Sequence, residues 1–309
     1  HPKKSVGHFR PRRVRDVYAG IDQLVITECF QASKVCDLLE VSRSGFYTWR
    51  GGQESRREVR DRELIPRISA VFWHHRRRYG ARRIAVELAS EGIACGVGRV
   101  ARLLKTQGFR AIQPRSYTPK TTQSRHRLGY NHNLLVDRAA PTRSNEVWVG
   151  DITYIPLMAR NGTGRFGYLA LLMDLWSRRI VGWEYGSSME EDLVLGALKR
   201  AIKDRQPAPG LIHHTDRGGQ YAGKRYREVL RRAGMQQSMS AAEGCYDNAF
   251  MESCFGTVKR ELELVEYGGD PEAVREISEY IRYYNVERRH SSLGYVSPVE
   301  FEDQVAVQK

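Results

Sequence analysis

From residue 147 onward the chain offers one succession of elements, and that succession restricts the fold more than any other feature. Strand-like apolar runs at 147–155, 166–174 and 179–185 are separated by Asn161-Gly162-Thr163-Gly164 and by Trp176-Ser177-Arg178, the pattern of an antiparallel three-stranded meander. A helix at 189–203, a strand at 211–215, a helix at 224–233, a strand at 235–240 and a helix from 247 to about 264 follow. Three carboxylates stand out against this order. Asp151 lies within the first strand, Asp216 lies just past the fourth, and Glu252 lies on the closing helix behind the turn Gly244-Cys245-Tyr246-Asp247-Asn248. The gaps between them are 64 and 35 residues. Two acids on strands and one on a helix suggest a metal site.

The order of elements is that of an α/β ribonuclease-H-like scaffold, which brings these three acids together. Three converging carboxylates suit phosphodiester cleavage, which needs an activated oxygen nucleophile, charge neutralisation at phosphorus and a stabilised leaving oxygen. Two hard divalent cations, Mg²⁺ or Mn²⁺, meet all three needs, and such ions prefer carboxylate oxygen to imidazole or thiolate. His213 and His214 therefore read as a buried strand residue and a neighbour of the site. Gly218 and Gly219 let backbone approach DNA, Asn248 is a helix cap or substrate contact, and Asp174, Glu184 and Asp247 read as structural. Lys259, seven residues after Glu252, falls two turns along the same helical face and is expected to contact DNA.

The first half is of a different character. Residues 1–143 hold 29 Lys and Arg against 12 Asp and Glu, a net of +17, whereas residues 144–309 hold 21 against 24, a net of −3. Such segregation implies a nucleic-acid grip joined to a region whose carboxylates serve another purpose. Apolar residues between Ile21 and Trp49 recur at helical spacing, with Ala32 opening a second helix and Ser42 an N-cap for a third beginning near Arg43. This is the cadence of a helix-turn-helix presenting Arg43, Ser44 and Thr48 to a major groove. Alternating charges from 53 to 73 predict a linker helix. Two further helices, from Tyr79 to Leu88 and from Val97 to Phe109, make a second such unit, with Arg82, Arg83, Arg99 and Arg102 mostly off its apolar stripe. The stretch 114–133 is a basic linker whose Arg115, Lys120, Arg125 and Arg127 are suited to phosphates. Beyond a C-terminal amphipathic helix at 270–285, Arg288 and Arg289 are further candidates, and Pro298 opens a short closing helix.

Several motifs carry a family resemblance. Trp148-Val149-Gly150-Asp151-Ile152-Thr153-Tyr154, His214-Thr215-Asp216-Arg217-Gly218-Gly219-Gln220-Tyr221 and Asp247-Asn248-Ala249-Phe250-Met251-Glu252-Ser253 resemble the core of retroviral-integrase-like transposases. More narrowly, they resemble the second-frame transposase of bacterial insertion-sequence family 3. Lys259-Arg260-Glu261-Leu262, Tyr284-Asn285, Arg288-Arg289-His290-Ser291-Ser292-Leu293-Gly294-Tyr295 and the upstream Arg78-Tyr79-Gly80-Ala81-Arg82-Arg83-Ile84 extend the likeness over most of the chain. The resemblance implies a DNA transposase that binds terminal inverted repeats and catalyses metal-dependent strand cleavage and transfer by a copy-out, paste-in route. It implies Asp151 bridging two metal ions with Asp216 and Glu252 each completing one, and a homodimer or larger assembly to synapse two double-stranded DNA ends and a target.

The expected organisation is multidomain. It comprises an all-α helix-turn-helix region at 1–52, a linker helix with a second such unit at 53–112, a basic linker at 113–143, the catalytic core at 144–268 and a C-terminal helix and tail at 269–309. Rival readings are a non-catalytic DNA-binding regulator, disfavoured by three acids at workable spacing, and a ribonuclease-H-like nuclease, which has no use for so large a basic half. Cysteines at 29, 36, 95, 245 and 254 show no C-x-x-C pair, so neither a disulfide framework nor structural zinc is supported. With no apolar run near the length of a membrane span, a cytoplasmic, nucleoid-associated bacterial protein is expected. The start at His1 rather than Met is expected of a processed, truncated or tagged chain, or of a frame-fusion product cut back to its second part.

Overall fold

The computed structural model describes residues 14–52, 54–112, 129–136, 138–158, 165–240, 255–262 and 267–307. The chain divides into two units, His1–Arg110 and Ala111–Lys309.

In the first unit, helices α1 (Val14–Thr27), α2 (Ala32–Leu38) and α3 (Arg43–Arg50) close around Tyr18, Ile21, Val35, Cys36 and Phe46. Ser42 holds extended backbone and its hydroxyl accepts from the Gly45 amide at 3.2 Å, fixing the start of α3; such a cap contributes about 1 kcal/mol. A Cβ at Gly45 would run into the Tyr18 hydroxyl, so only glycine lets α1 lie across this turn. Helix α4 (Arg56–His74) starts at a capping box in which Glu58 N–H meets Ser55 Oγ at 3.2 Å and Ser55 N–H meets Glu58 Oε2 at 2.9 Å. Helices α5 (Ala81–Ser90) and α6 (Val97–Thr106) pack on it through Ile68, Phe72, Ile84, Leu88, Val100 and Leu103.

The second unit is built on a five-stranded sheet of order β3-β2-β1-β4-β5. Strands β1 (Val147–Leu157), β2 (Arg165–Asp174) and β3 (Ile180–Gly186) form an antiparallel meander, and β4 (Ile212–Thr215) and β5 (Gln236–Met239) add in parallel. Helices α7 (Glu191–Arg205) and α8 (Lys224–Arg232) link β3 to β4 and β4 to β5. Alternation along β1 serves two apolar layers. Val147, Val149, Ile155 and Leu157 join Phe255, Val258, Leu262 and Ile277 on one face, while Trp148 and Ile152 join residues of α7 and α8 on the other. A one-residue slip would exchange these sets, so burial on both faces fixes the register.

The first face is covered by α9, described over residues 255–262, and by α10 (Asp270–Val286). Strand β1 runs two residues past its expected end because Pro156 and Leu157 still pair with β2 and bridge to Tyr267 on the other side. A 3₁₀ turn (Ser291–Leu293) leads to α11 (Pro298–Val307), whose Glu302 accepts from Arg205 at 2.9 Å through both oxygens and from Arg179 at 2.6 Å. Among the described residues no helix is long and apolar enough to cross a membrane.

Candidate active site

Asp151 is set by strand geometry. It lies on the α9 face of β1, where its half-buried carboxylate accepts from the Ile152 amide at 2.8 Å through Oδ1 and meets Lys259 Nζ at 2.6 Å through Oδ2. Burial pushes the Asp151 carboxyl up, Lys259 pulls it back, and the charge of Asp216 pushes it up again. That last influence follows from register: Gly150 pairs with Thr215, so Asp151 and Asp216 each follow a matched pair on adjacent parallel strands.

Asp216 begins the loop after β4, and its Oδ1 accepts from the Gly218 amide at 2.9 Å. A Cβ at Gly218 would sit 3.0 Å from that same oxygen and 2.8 Å from Gln220 Oε1, so the glycine serves the folding of the loop around its own acid. Buried Tyr221 lies in the field of both acids; burial, then Asp216, Tyr226 and Asp151, push its phenol well above its ordinary value. Sequence reading gave Tyr221 no role, because an aromatic inside a Gly-rich motif carries no periodic signal.

Glu252 and Asn248 lie outside the described residues, as do Arg115, Lys120, Arg125 and Arg127. Among the described residues no group of three His, Cys, Asp or Glu side chains is placed to hold a metal. The donor set that is described suits a hard cation. Asp151, inside β1, and Asp216, just past the end of β4, offer carboxylate oxygens of the kind a hard cation prefers, and an ammonium already rests against Asp151. Both histidines are engaged elsewhere: His213 Nε2 is 2.6 Å from the Tyr226 hydroxyl, and His214 Nδ1 is 2.9 Å from Ser238 Oγ. Burial, with a smaller push from His214, holds His213 down at about 3. Asp174 is a structural cap, accepting from the amides of Asn145, Trp176 and Ser177.

Arg217, beside Asp216, also escaped the sequence reading. Its Nε donates to Ser240 O at 2.7 Å and its guanidinium lies 4.8 Å from the Tyr130 ring centroid. It thereby ties the segment entering this unit to the end of β5.

The residues expected at DNA are variously placed. Arg43, Ser44 and Thr48 are exposed on α3, although Arg43 is ion-paired with Asp37 and the Thr48 hydroxyl donates to Ser44 O at 2.8 Å. Arg82 is exposed and Arg83 lies over the Tyr79 ring at 5.6 Å. Arg99 and Arg102 instead converge on Asp61 at 2.8 and 2.6 Å, tying α6 to α4. Burial would push Asp61 up, and the two arginines more than reverse it. Arg289 is part-buried with Nη1 3.1 Å from Tyr295 O. Arg288 is a correction to the expectation: it is 1% exposed and fully engaged by Glu261, so it cannot meet a phosphate.

The chain is similar to known proteins over most of its length. The family described as Integrase core domain matches residues 141–245, a second so described matches 233–298, and an HTH-like domain matches 58–117. The chain is 40% identical over 272 residues to the insertion element IS600 uncharacterized 31 kDa protein of Shigella sonnei, covering 87% of this chain and 98% of that one. It is 42% identical over 250 residues to the transposase for insertion sequence element IS904 of Lactococcus lactis, covering 80% and 96%. To transposase InsF for insertion sequence IS3A of Escherichia coli it is 38% identical over 279 residues, covering 89% and 95%. Among solved structures, the HTLV-2 integrase catalytic core domain in complex with magnesium aligns at a TM-score of 0.40 and 15% identity, over 52% of this chain and 97% of that one.

Proposed function

The chain belongs to the IS3 family of insertion-sequence transposases, and from that premise we propose that Asp151, Asp216 and Glu252 are its catalytic acids. It is an enzyme with an integrase catalytic core, within the polynucleotidyl transferases named for their Asp, Asp and Glu. The observation that carries the assignment is the cation contact at Asp151, where a lysine ammonium rests on a carboxylate of the central strand that register sets beside Asp216.

Asp151, Asp216 and Glu252 would together hold two divalent ions, Mg²⁺ or Mn²⁺. When bound, such ions supply charge neutralisation at phosphorus and activation of the attacking oxygen. The chain's own residues do the rest. The Gly218 amide orients Asp216, and Lys259 holds a phosphate of the transposon end. A water first exposes a 3′-OH at that end. The 3′-oxygen then attacks a second phosphorus, forming one P–O bond as another breaks, in a copy-out, paste-in route.

Recognition of the terminal inverted repeats falls to the basic half. Arg43, Ser44 and Thr48 read the groove, and Arg82, Arg83, Arg115, Lys120, Arg125 and Arg127 meet phosphates, with Arg289 doing so in the tail. Arg99 and Arg102 are assigned to holding α6 on α4 through Asp61. The domain divisions expected from sequence are retained in this reading, and a dimer or larger assembly follows from the need to hold two ends.

The test is incubation of the protein with an end-sequence oligonucleotide and Mg²⁺ or Mn²⁺. Joined products support the reading. DNA bound but uncut would make the chain a regulator, and cutting without joining or end preference would make it a nuclease.

A further inference from the structure

Helix α9 carries Lys259 to Asp151, and what orients that helix is not its apolar stripe alone. Phe255, Val258 and Leu262 are buried at a helical repeat. Among the described residues the stripe comprises these three contacts, which select a face but specify rotation about the axis only loosely. At 3.6 residues per turn, Lys259 and Glu261 fall on opposite flanks of that stripe. One flank reaches the sheet through Lys259. The other meets Arg288.

The second contact is closed on every side. Glu261 is 6% exposed and Arg288 1%. Arg288 Nε lies 3.1 Å from both Glu261 oxygens, Nη2 donates to Oε1 at 2.8 Å, and the Tyr280 hydroxyl donates to Oε2 at 3.0 Å. The Arg288 guanidinium lies over the Tyr284 ring at 5.6 Å, and its Nη1 is 3.4 Å from His290 Nε2. A fork of this kind has one geometry. Its contribution to stability is a separate matter, since replacing both members of a buried ion pair by apolar residues is often neutral or stabilising. What apolar replacements do not restore is direction.

We propose that Glu261 and Arg288 are a positioning pair for the acid site, setting the rotation of α9 that delivers Lys259 to Asp151. The catalytic part of this inference rests on the proposed function; the geometric part does not.

The test uses the full chain and Glu261→Met/Arg288→Met, with Arg288→Lys as a milder variant that keeps the charge and loses the fork. Folding is followed by circular dichroism and thermal unfolding, and lysine acetylation by N-hydroxysuccinimidyl acetate is read at Lys259 by mass spectrometry. Asp151→Asn provides the rate for an unpaired Lys259. The expected result is a folded variant in which Lys259 is acetylated faster than in the parent, near the Asp151→Asn rate. Its strand-transfer turnover falls on the order of ten- to a hundred-fold, the effect of a small misplacement, and its KM for the end oligonucleotide rises as the proposed Lys259 phosphate contact is lost. A folded variant whose Lys259 is acetylated at the parent rate overturns the inference whatever its activity, and so does one with the parent turnover. If the parent joins no strands, the functional reading fails, while acetylation at Lys259 still decides the positioning.

Discussion

Lys259 Nζ lies 2.6 Å from Asp151 Oδ2, a cation from a helix resting on the carboxylate of a central strand. On the proposed assignment of Asp151 as a metal ligand, the ammonium and an incoming divalent ion compete for the same oxygen. Lys259→Met keeps the apolar stem and removes the competitor, so Mn²⁺ binding to the DNA-free protein should tighten. The gain should be on the order of five-fold, the worth of a partly exposed ion pair of about 1 kcal/mol. Calorimetric titration or Mn²⁺ electron paramagnetic resonance reads this directly. Weaker or unchanged binding would mean that the lysine does not compete for the carboxylate. The same variant should bind the end oligonucleotide less tightly, since the phosphate contact proposed for Lys259 is removed.

Removing a ligand acid has the opposite profile. Glu252→Gln and Asp151→Asn should retain affinity for the transposon end while both cleavage and joining fall on the order of a thousand-fold, the several kcal/mol that metal ions supply to such a transition state. The measurement is a gel assay of cleaved and joined strands beside a binding isotherm on the same oligonucleotide. Strand transfer retained in Glu252→Gln would remove that residue from the site.

A group outside the chemistry predicts the acid limit of stability. His213 is fully buried against Tyr226 and held down at about 3, against 6.5 for an ordinary histidine. Between those values the unfolded chain binds a proton that the folded chain refuses, so stability is full above about pH 6.5 and falls with acidification. The slope from this one residue approaches about 1.4 kcal/mol per pH unit. His213→Gln should flatten that part of the curve in denaturant titrations across the range, even if it lowers stability overall. An unchanged slope would assign the acid sensitivity to the carboxylates.

How much of this was legible beforehand depends on how far apart the deciding partners lie in sequence. The strand and helix order of the second unit, and the start of α3, are written locally, in alternation and in a serine ahead of a helix. The acids on β1 and after β4 could be placed for the same reason, since strand register follows from burial on both faces. Ion pairs carry no such local mark. Arg99 and Arg102 sit off an apolar stripe and so look outward, but the acid that claims them is 38 and 41 residues earlier. Arg288 stands in a run of polar residues, and only the folded α9 reveals that Glu261, 27 residues earlier, takes it into the core.

The same distinction between outward and claimed arginines can be measured in the basic half. Each cation that neutralises a phosphate adds about 0.9 to the slope of log affinity against log salt. Exposed Arg82 should behave so: Arg82→Ala should weaken end and random duplexes alike and reduce the slope by about 1. Arg99→Ala should leave the slope unchanged and instead lower the melting temperature, because α6 loses its tie to Asp61 on α4. Fluorescence anisotropy at several salt concentrations, with thermal unfolding of both variants, separates the cases. A reduced slope for Arg99→Ala would mean that the Asp61 fork opens on DNA and that Arg99 belongs to the binding face after all.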